Sequence, residues 1–196
     1  MKKTRVIITV LLSVVMVLSA VPVTSYAEGE SGGCAVNSEN FPDENFKKYV
    51  SSEFDTNSDG ILSAEEMEQV ITINVAGNNI SSLEGIGYFV NVQEIFCHKN
   101  KLTLLDVSNN TALEKLHCYG NELEQINVSG NAHLQSLICH TNHLTQLNLE
   151  NNMEIKELDC DRNKINELNV SENAALEILS CGGNLLQYLD VSHNKE

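Results

Sequence analysis

Apolar residues in the second half of the chain recur in a short alternating pattern, leucine-x-x-leucine-x-cysteine, that breaks each time at an asparagine. The unit starting at Leu113 shows it fully: Leu113, Leu116, Cys118, Leu123, Ile126 and Val128 are apolar, and Asn121 and Asn131 punctuate them. The unit restarts at Leu134, Ile155 and Leu176, and a slightly longer early version holds Ile73, Val75, Asn78, Ile80, Leu83 and Ile86. Alternation with period 2 predicts a short strand with one buried side. An asparagine three residues after the cysteine suits a turn, because its side chain can hydrogen-bond backbone groups.

The period itself is strict. Cys97, Cys118, Cys139, Cys160 and Cys181 stand 21 residues apart, and each is followed three residues later by Asn100, Asn121, Asn142, Asn163 or Asn184. A second asparagine column runs through Asn110, Asn131, Asn152, Asn173 and Asn194, so both sides of each coil are expected to be strand-like and no long helix is expected. Repetition on this scale predicts a solenoid whose coils cannot fold alone and gain their stability from neighbours and from a backbone ladder. Inward cysteines on strands about 4.8 Å apart have parallel Cβ directions, which suit packed thiols better than disulfides. Cys34 lies outside the ladder and is expected to be exposed.

These residues resemble the cysteine-containing leucine-rich repeats of bacterial internalins, and the doubled asparagine resembles the nested repeats of bacterial surface proteins. The resemblance covers roughly residues 38–196: Phe41-Pro42-Asp43-Glu44-Asn45-Phe46 and the segment Ile80 to Phe89 look like an internalin cap and first repeat. It implies a right-handed leucine-rich-repeat solenoid, with parallel strands on the concave face, little helix and a small α-helical, EF-hand-like N-terminal cap. It also implies a protein partner bound on the concave face.

The N-terminus reads as an export signal. Lys2, Lys3 and Arg5 precede an apolar run from Val6 to Val23, and Ser25-Tyr26-Ala27 offers a cleavage site after Ala27. The run is also about long enough for an uncleaved anchor, and Gly32-Gly33-Cys34 is a distant hint of a lipobox. The expected organisation is a signal peptide over residues 1–27, a flexible linker over 28–37, the cap over 38–70 and repeats over 71–196. Cleavage removes three of the 12 basic residues and no acidic one, leaving nine against 27, a net charge of −18. Nucleic acid and anionic membranes are poor partners for such a surface.

One ligand motif stands apart from the repeats. Asp55-Thr56-Asn57-Ser58-Asp59-Gly60-Ile61-Leu62-Ser63-Ala64-Glu65-Glu66 matches the EF-hand calcium loop. Calcium takes six to eight oxygens, and the spacing offers the side chains of Asp55, Asn57, Asp59 and Glu66, the carbonyl of Ile61, and Ser63 through water; one Ca2+ ion is expected. Phe46, Val50 and Phe54 before the loop, and Met67 and Val70 after it, supply helical apolar faces. Ser63 and Glu66 also form a capping box, which needs no metal.

If the leucine-x-x-leucine-x-cysteine strands line the concave face, three rows of side chains point outward from it. The middle strands then group Phe96, His98, His117, Tyr119, Ile138 and His140, a patch of the kind that anchors protein partners. Metal binding by His98 and His140 is disfavoured, since a strand between them sets their backbones about 9.6 Å apart. Glu157, Asp159 and Asp161 make an acidic end, open to a basic partner or to solvent alone.

No nucleophile elbow, zinc-protease helix or phosphate loop is present, so a non-enzymatic protein is expected. The leading expectation is a secreted or surface bacterial module that binds an extracellular protein or glycoprotein and does not insert into the membrane after signal cleavage. The alternative is a structural spacer, or a truncated fragment of a larger surface protein. The final repeat stops without a capping element, so self-association through that end is expected if no further chain covers it.

Overall fold

A computed structural model describes residues 32–194; the expected signal peptide, residues 1–27, lies outside them. Within them the chain begins with strand β1 (Cys34–Ala35), helix α1 (Glu44–Glu53), strand β2 (Ile61–Leu62) and helix α2 (Ala64–Glu68). Asp43 caps α1, its side chain accepting from the amides of Asn45 and Phe46, and the same carboxylate accepts from the amide and hydroxyl of Ser81 in the first coil. That one side chain therefore starts the helix and ties the cap to the repeats. Phe46 and Val50 on α1 are fully buried, as the apolar spacing anticipates.

Cys34 departs from expectation. The exposure expected of it is not found: β1 pairs antiparallel with β2, Cys34 opposite Leu62, and its side chain is buried. Burial pushes its thiol up to about 11, despite a hydrogen bond with Tyr88. Two paired residues are too short a segment for any periodic signal.

The repeats follow as β3 (Thr72–Asn74), a 3-10 turn (Ile86–Tyr88), β4 (Glu94–Phe96), β5 (Leu104–Asp106), β6 (Lys115–His117), β7 (Gln125–Asn127), β8 (Ser136–Ile138), β9 (Glu157–Asp159) and β10 (Ile178–Ser180). Six of these strands make one parallel sheet in the spatial order β10-β9-β8-β6-β4-β3. From β4 onward the register repeats every 21 residues, Ile95 beside Leu116, Leu137, Leu158 and Leu179. The architecture is the leucine-rich-repeat solenoid, with parallel strands on one face and little helix. The other side is less regular than expected: β5 and β7 pair, and among the described residues the later coils carry no strand there.

Between the two sides runs the core. Leu116, Leu137, Leu158, Cys97, Cys118, Cys139 and Cys160 have no exposure, and all six cysteines of the chain are free thiols. Loss of solvent lifts the Cys97 and Cys160 thiols to about 12 and those of Cys118 and Cys139 well above the usual range, so the ladder packs as small apolar groups. Each asparagine that follows a cysteine then locks the coil to its neighbour. Asn142 donates to the carbonyls of Cys118 and Cys139 at 3.1 and 3.0 Å and accepts from the amide of Leu123 at 3.0 Å.

Candidate functional site

Two regions carry candidate chemistry: the loop of the cap and the exposed face of the six-stranded sheet. In the loop, Gly60 has φ of +82° and Ser58 +58°, the left-handed backbone that a tight twelve-residue loop requires. Its carboxylates are turned toward its own amides. Asp55, nearly buried, accepts from the amides of Asp59 and Gly60 at 3.1 and 3.0 Å. Asn57 accepts from the Asp59 amide at 3.0 Å and donates to its carboxylate at 2.9 Å, and Asp59 accepts from the Ile61 amide at 2.8 Å.

Glu66 closes the loop from the far end. One of its oxygens accepts from the amide and hydroxyl of Thr56 at 2.8 and 2.6 Å, the other from the amide and hydroxyl of Ser63, both at 2.9 Å. The Thr56 hydroxyl and then the Ser63 amide lead the hydrogen bonds that pull its pKa to about 2. Thr56 had no assigned role from the sequence, since the second position of such a loop carries no ligand.

The oxygen-only donor set suits a hard cation, and no basic side chain forms an ion pair with Asp55, Asp59 or Glu66 among the described residues. Nor do three acidic, histidine or cysteine side chains converge among those residues into a ready metal cage. Ile61 and Leu62 belong to β2, so β1 supplies the antiparallel neighbour for this loop.

On the sheet, register does the positioning. Asn74, Phe96, His117, Ile138, Asp159 and Ser180 are aligned partners on consecutive strands. Two residues further along each coil, His98, Tyr119 and His140 come together as a stack. The rings of His98 and Tyr119 lie 4.4 Å apart and 5° from parallel, and those of Tyr119 and His140 lie 4.5 Å apart at 15°. Phe96 meets His117 edge to face at 5.1 Å. All six residues expected on this face are brought together there, and each is half-buried rather than standing free.

Stacking consumes both faces of Tyr119 and leaves ring edges outward. Desolvation, and then the charge of Lys99, lowers the pKa of His98; desolvation is likewise the leading cause for His117, with His98 and Lys115 adding to it and Glu157 and Glu94 opposing it. Both imidazoles are therefore held toward the neutral form, one in which a ring nitrogen can accept as well as donate. At the next coil the chemistry changes: Glu157, Asp159 and Asp161 stand on the same face.

No family model matches this chain. Internalin J of Listeria monocytogenes is 31% identical to it over 71 residues, which is 36% of this chain and 8% of that protein, so the chain spans only a small part of this relative. Internalin C2 from the same organism superposes with a TM-score of 0.54 at 19% identity, covering 82% of each chain. The functional domain of internalin J, described as including a cysteine ladder, gives a TM-score of 0.44 at 21% identity, covering 83% of this chain and 55% of that one. Repeat period and superposition agree on the fold: the chain is a leucine-rich-repeat solenoid, similar to the internalins, built around a column of buried cysteines.

Proposed function

We propose that the chain is a non-enzymatic binding module, exported to the bacterial surface or the medium, that recognises a protein or glycoprotein partner through the concave sheet face. The observation that carries this reading is the gathering of Phe96, His98, His117, Tyr119, Ile138 and His140 on adjacent, in-register strands. Rigid strands hold these rings in place before any partner arrives, so little side-chain freedom remains to be lost on binding. Similarity to internalins fits a binding role, and among the described residues no helix is long and apolar enough to cross a membrane.

Calcium enters as a second part of the same proposal. Asp55, Asn57, Asp59, the Ile61 carbonyl, Ser63 and Glu66 would hold one ion, with Glu66 released from Thr56. Neutralising three neighbouring carboxylates would stabilise the cap and, through Asp43 and Ser81, the first coil.

The test of binding is Phe96→Ser with Tyr119→Ser and Ile138→Ser, measured against an array of extracellular proteins. Binding should weaken by about tenfold or more, with the repeats still folded by circular dichroism. An array signal that the triple variant leaves unchanged would reduce the solenoid to a spacer. For calcium, addition to chelator-treated protein should raise the melting temperature, and Asp55→Ala with Glu66→Ala should remove the rise; a flat titration of the unsubstituted protein rejects the ion.

A further inference from the structure

The concave face is graded along the solenoid axis, and two of its rows are graded in the same order. One row runs Phe96, His117, Ile138, Asp159, Ser180; the other runs His98, Tyr119, His140, Asp161, Gly182. Beyond Asn74 on the first coil, the first row passes from rings and Ile138, and the second from rings alone, to a carboxylate on one and the same coil and then to a small residue.

Among the described residues the carboxylates of that coil form no ion pair. Glu94, at the aromatic end, is neutralised by Lys115 at 2.7 Å. Glu157 accepts from the Ser136 hydroxyl, Asp159 from the Asp161 amide and Asp161 from the Gly182 amide, and none of the three forms an ion pair among the described residues. Arg162 follows in sequence, but its stem runs beside Gly183. Three carboxylates are thus left facing outward with hydrogen-bonding capacity to spare.

Ring geometry separates two classes of occupant. Sugars bind proteins by laying a pyranose face on an open aromatic face, and Tyr119 has none, because imidazoles cover it on both sides. The Tyr119 ring is left with its edge and hydroxyl, which suit a peptide backbone, while Phe96 and Ile138 suit apolar side chains. Phe96 and Asp159 are three strand steps apart, about 14 Å, a span an extended peptide covers in about four residues.

We infer that the occupant of the concave face is an extended, basic protein segment, with an apolar side chain on Phe96 and a Lys or Arg about four residues away on Asp159 and Asp161. This rests on the proposal that the concave face binds a protein, and it names the partner's chemistry. Complementarity of this kind sets orientation and speeds encounter more than it adds raw affinity.

The probe is a displayed library of random twelve-residue peptides, selected on the full chain and, in parallel, on Asp159→Asn with Asp161→Asn. Asparagine keeps the Oδ1 acceptors used by the Asp161 and Gly182 amides, so the fold is retained while the charge is removed. Selection on the unsubstituted chain should enrich peptides with a Lys or Arg about four residues from an apolar residue. Their binding should fall about tenfold on the asparagine variant and weaken with added salt. Enrichment of peptides lacking basic residues, lost on Phe96→Ser with Tyr119→Ser, overturns the basic partner and leaves the binding face standing. Enriched peptides indifferent to both variants overturn the face as well, and binding to a glycan array with no peptide enriched replaces the protein segment with a sugar.

Discussion

Two columns of asparagine share the 21-residue period yet hold their coils by different chemistry. On the strand side, Asn121 uses its whole amide: it donates to the carbonyls of Cys97 and Cys118 and accepts from the amide of Leu102. On the opposite side, Asn131 donates to the carbonyls of Val107 and Asn110, but its own oxygen is buried with no donor. There the turn is closed locally instead, as the Asp106 carboxylate accepts from the amide of Ser108 and Asn127 accepts from Ser129 two residues on. Both columns thus tie a coil to the one before it, but the strand-side asparagine also accepts an amide and bonds its own coil, while the other leaves its oxygen unpaired.

This difference predicts unequal costs. Asn142→Ala orphans the buried Leu123 amide and takes one of two asparagine donors from each of the Cys118 and Cys139 carbonyls, and should destabilise by about 3 kcal/mol. In a domain of this size that lowers the melting temperature by about 10 °C. Asn131→Ala orphans no donor: the Val107 and Asn110 carbonyls keep the amides of Asn110 and Leu113, and the oxygen removed had no donor; about 1 kcal/mol is expected. Equal losses in paired thermal melts, or a larger loss for Asn131, would break the distinction between the two columns.

The strand-side turn has a second requirement that sharpens the same contrast. The residue before each ladder asparagine is left-handed in every coil: Lys99, Gly120, Thr141, Arg162 and Gly183 have φ between 53° and 65°. Glycine takes this conformation freely, while a side chain is strained by about 1 kcal/mol. Arg162→Gly should therefore stabilise the protein by about 1 kcal/mol, read as a rise in melting temperature. A fall would mean that the stem of Arg162 against Gly183 outweighs the strain.

Period and polarity made most of the solenoid legible before any coordinates. A spacing of 21 fixes which residues sit side by side, so Phe96, His117 and Ile138 could be aligned from the sequence alone. What the spacing does not carry is how neighbours touch: that His98, Tyr119 and His140 stack face to face depends on rotamers set by the surrounding side chains. The cap was less legible because it uses each contact once. Cys34 opposite Leu62 and Thr56 on Glu66 have no repeat to announce them, and a two-residue strand has no periodicity to find. The bonding difference between the asparagine columns is hidden for a related reason, since the same residue at the same spacing served both.

The smallest expected effect tests whether the stacked rings on the strand side contribute to stability as the ladder beneath them does. His98 and His117 have pKa values lowered chiefly by burial, so the folded protein prefers them neutral, while the unfolded chain protonates them near 6.5. Below that pH the unfolded state binds more protons, and stability must rise with pH. The contribution is fully present above about 6.5 and fades as pH falls through the lower folded values. Lys99 and Lys115 reinforce this direction, whereas Glu94 and Glu157 oppose it at His117. Glu66, titrating near 2, stays ionised throughout this window and does not confound it. His98→Phe keeps a ring against Tyr119 but removes one titration, so its melting temperature should vary less between pH 7.5 and pH 5.5 than that of the unsubstituted chain. Identical slopes would show that the His98 ring meets Tyr119 without being desolvated by it, and that only the asparagines and thiols below hold the face in place.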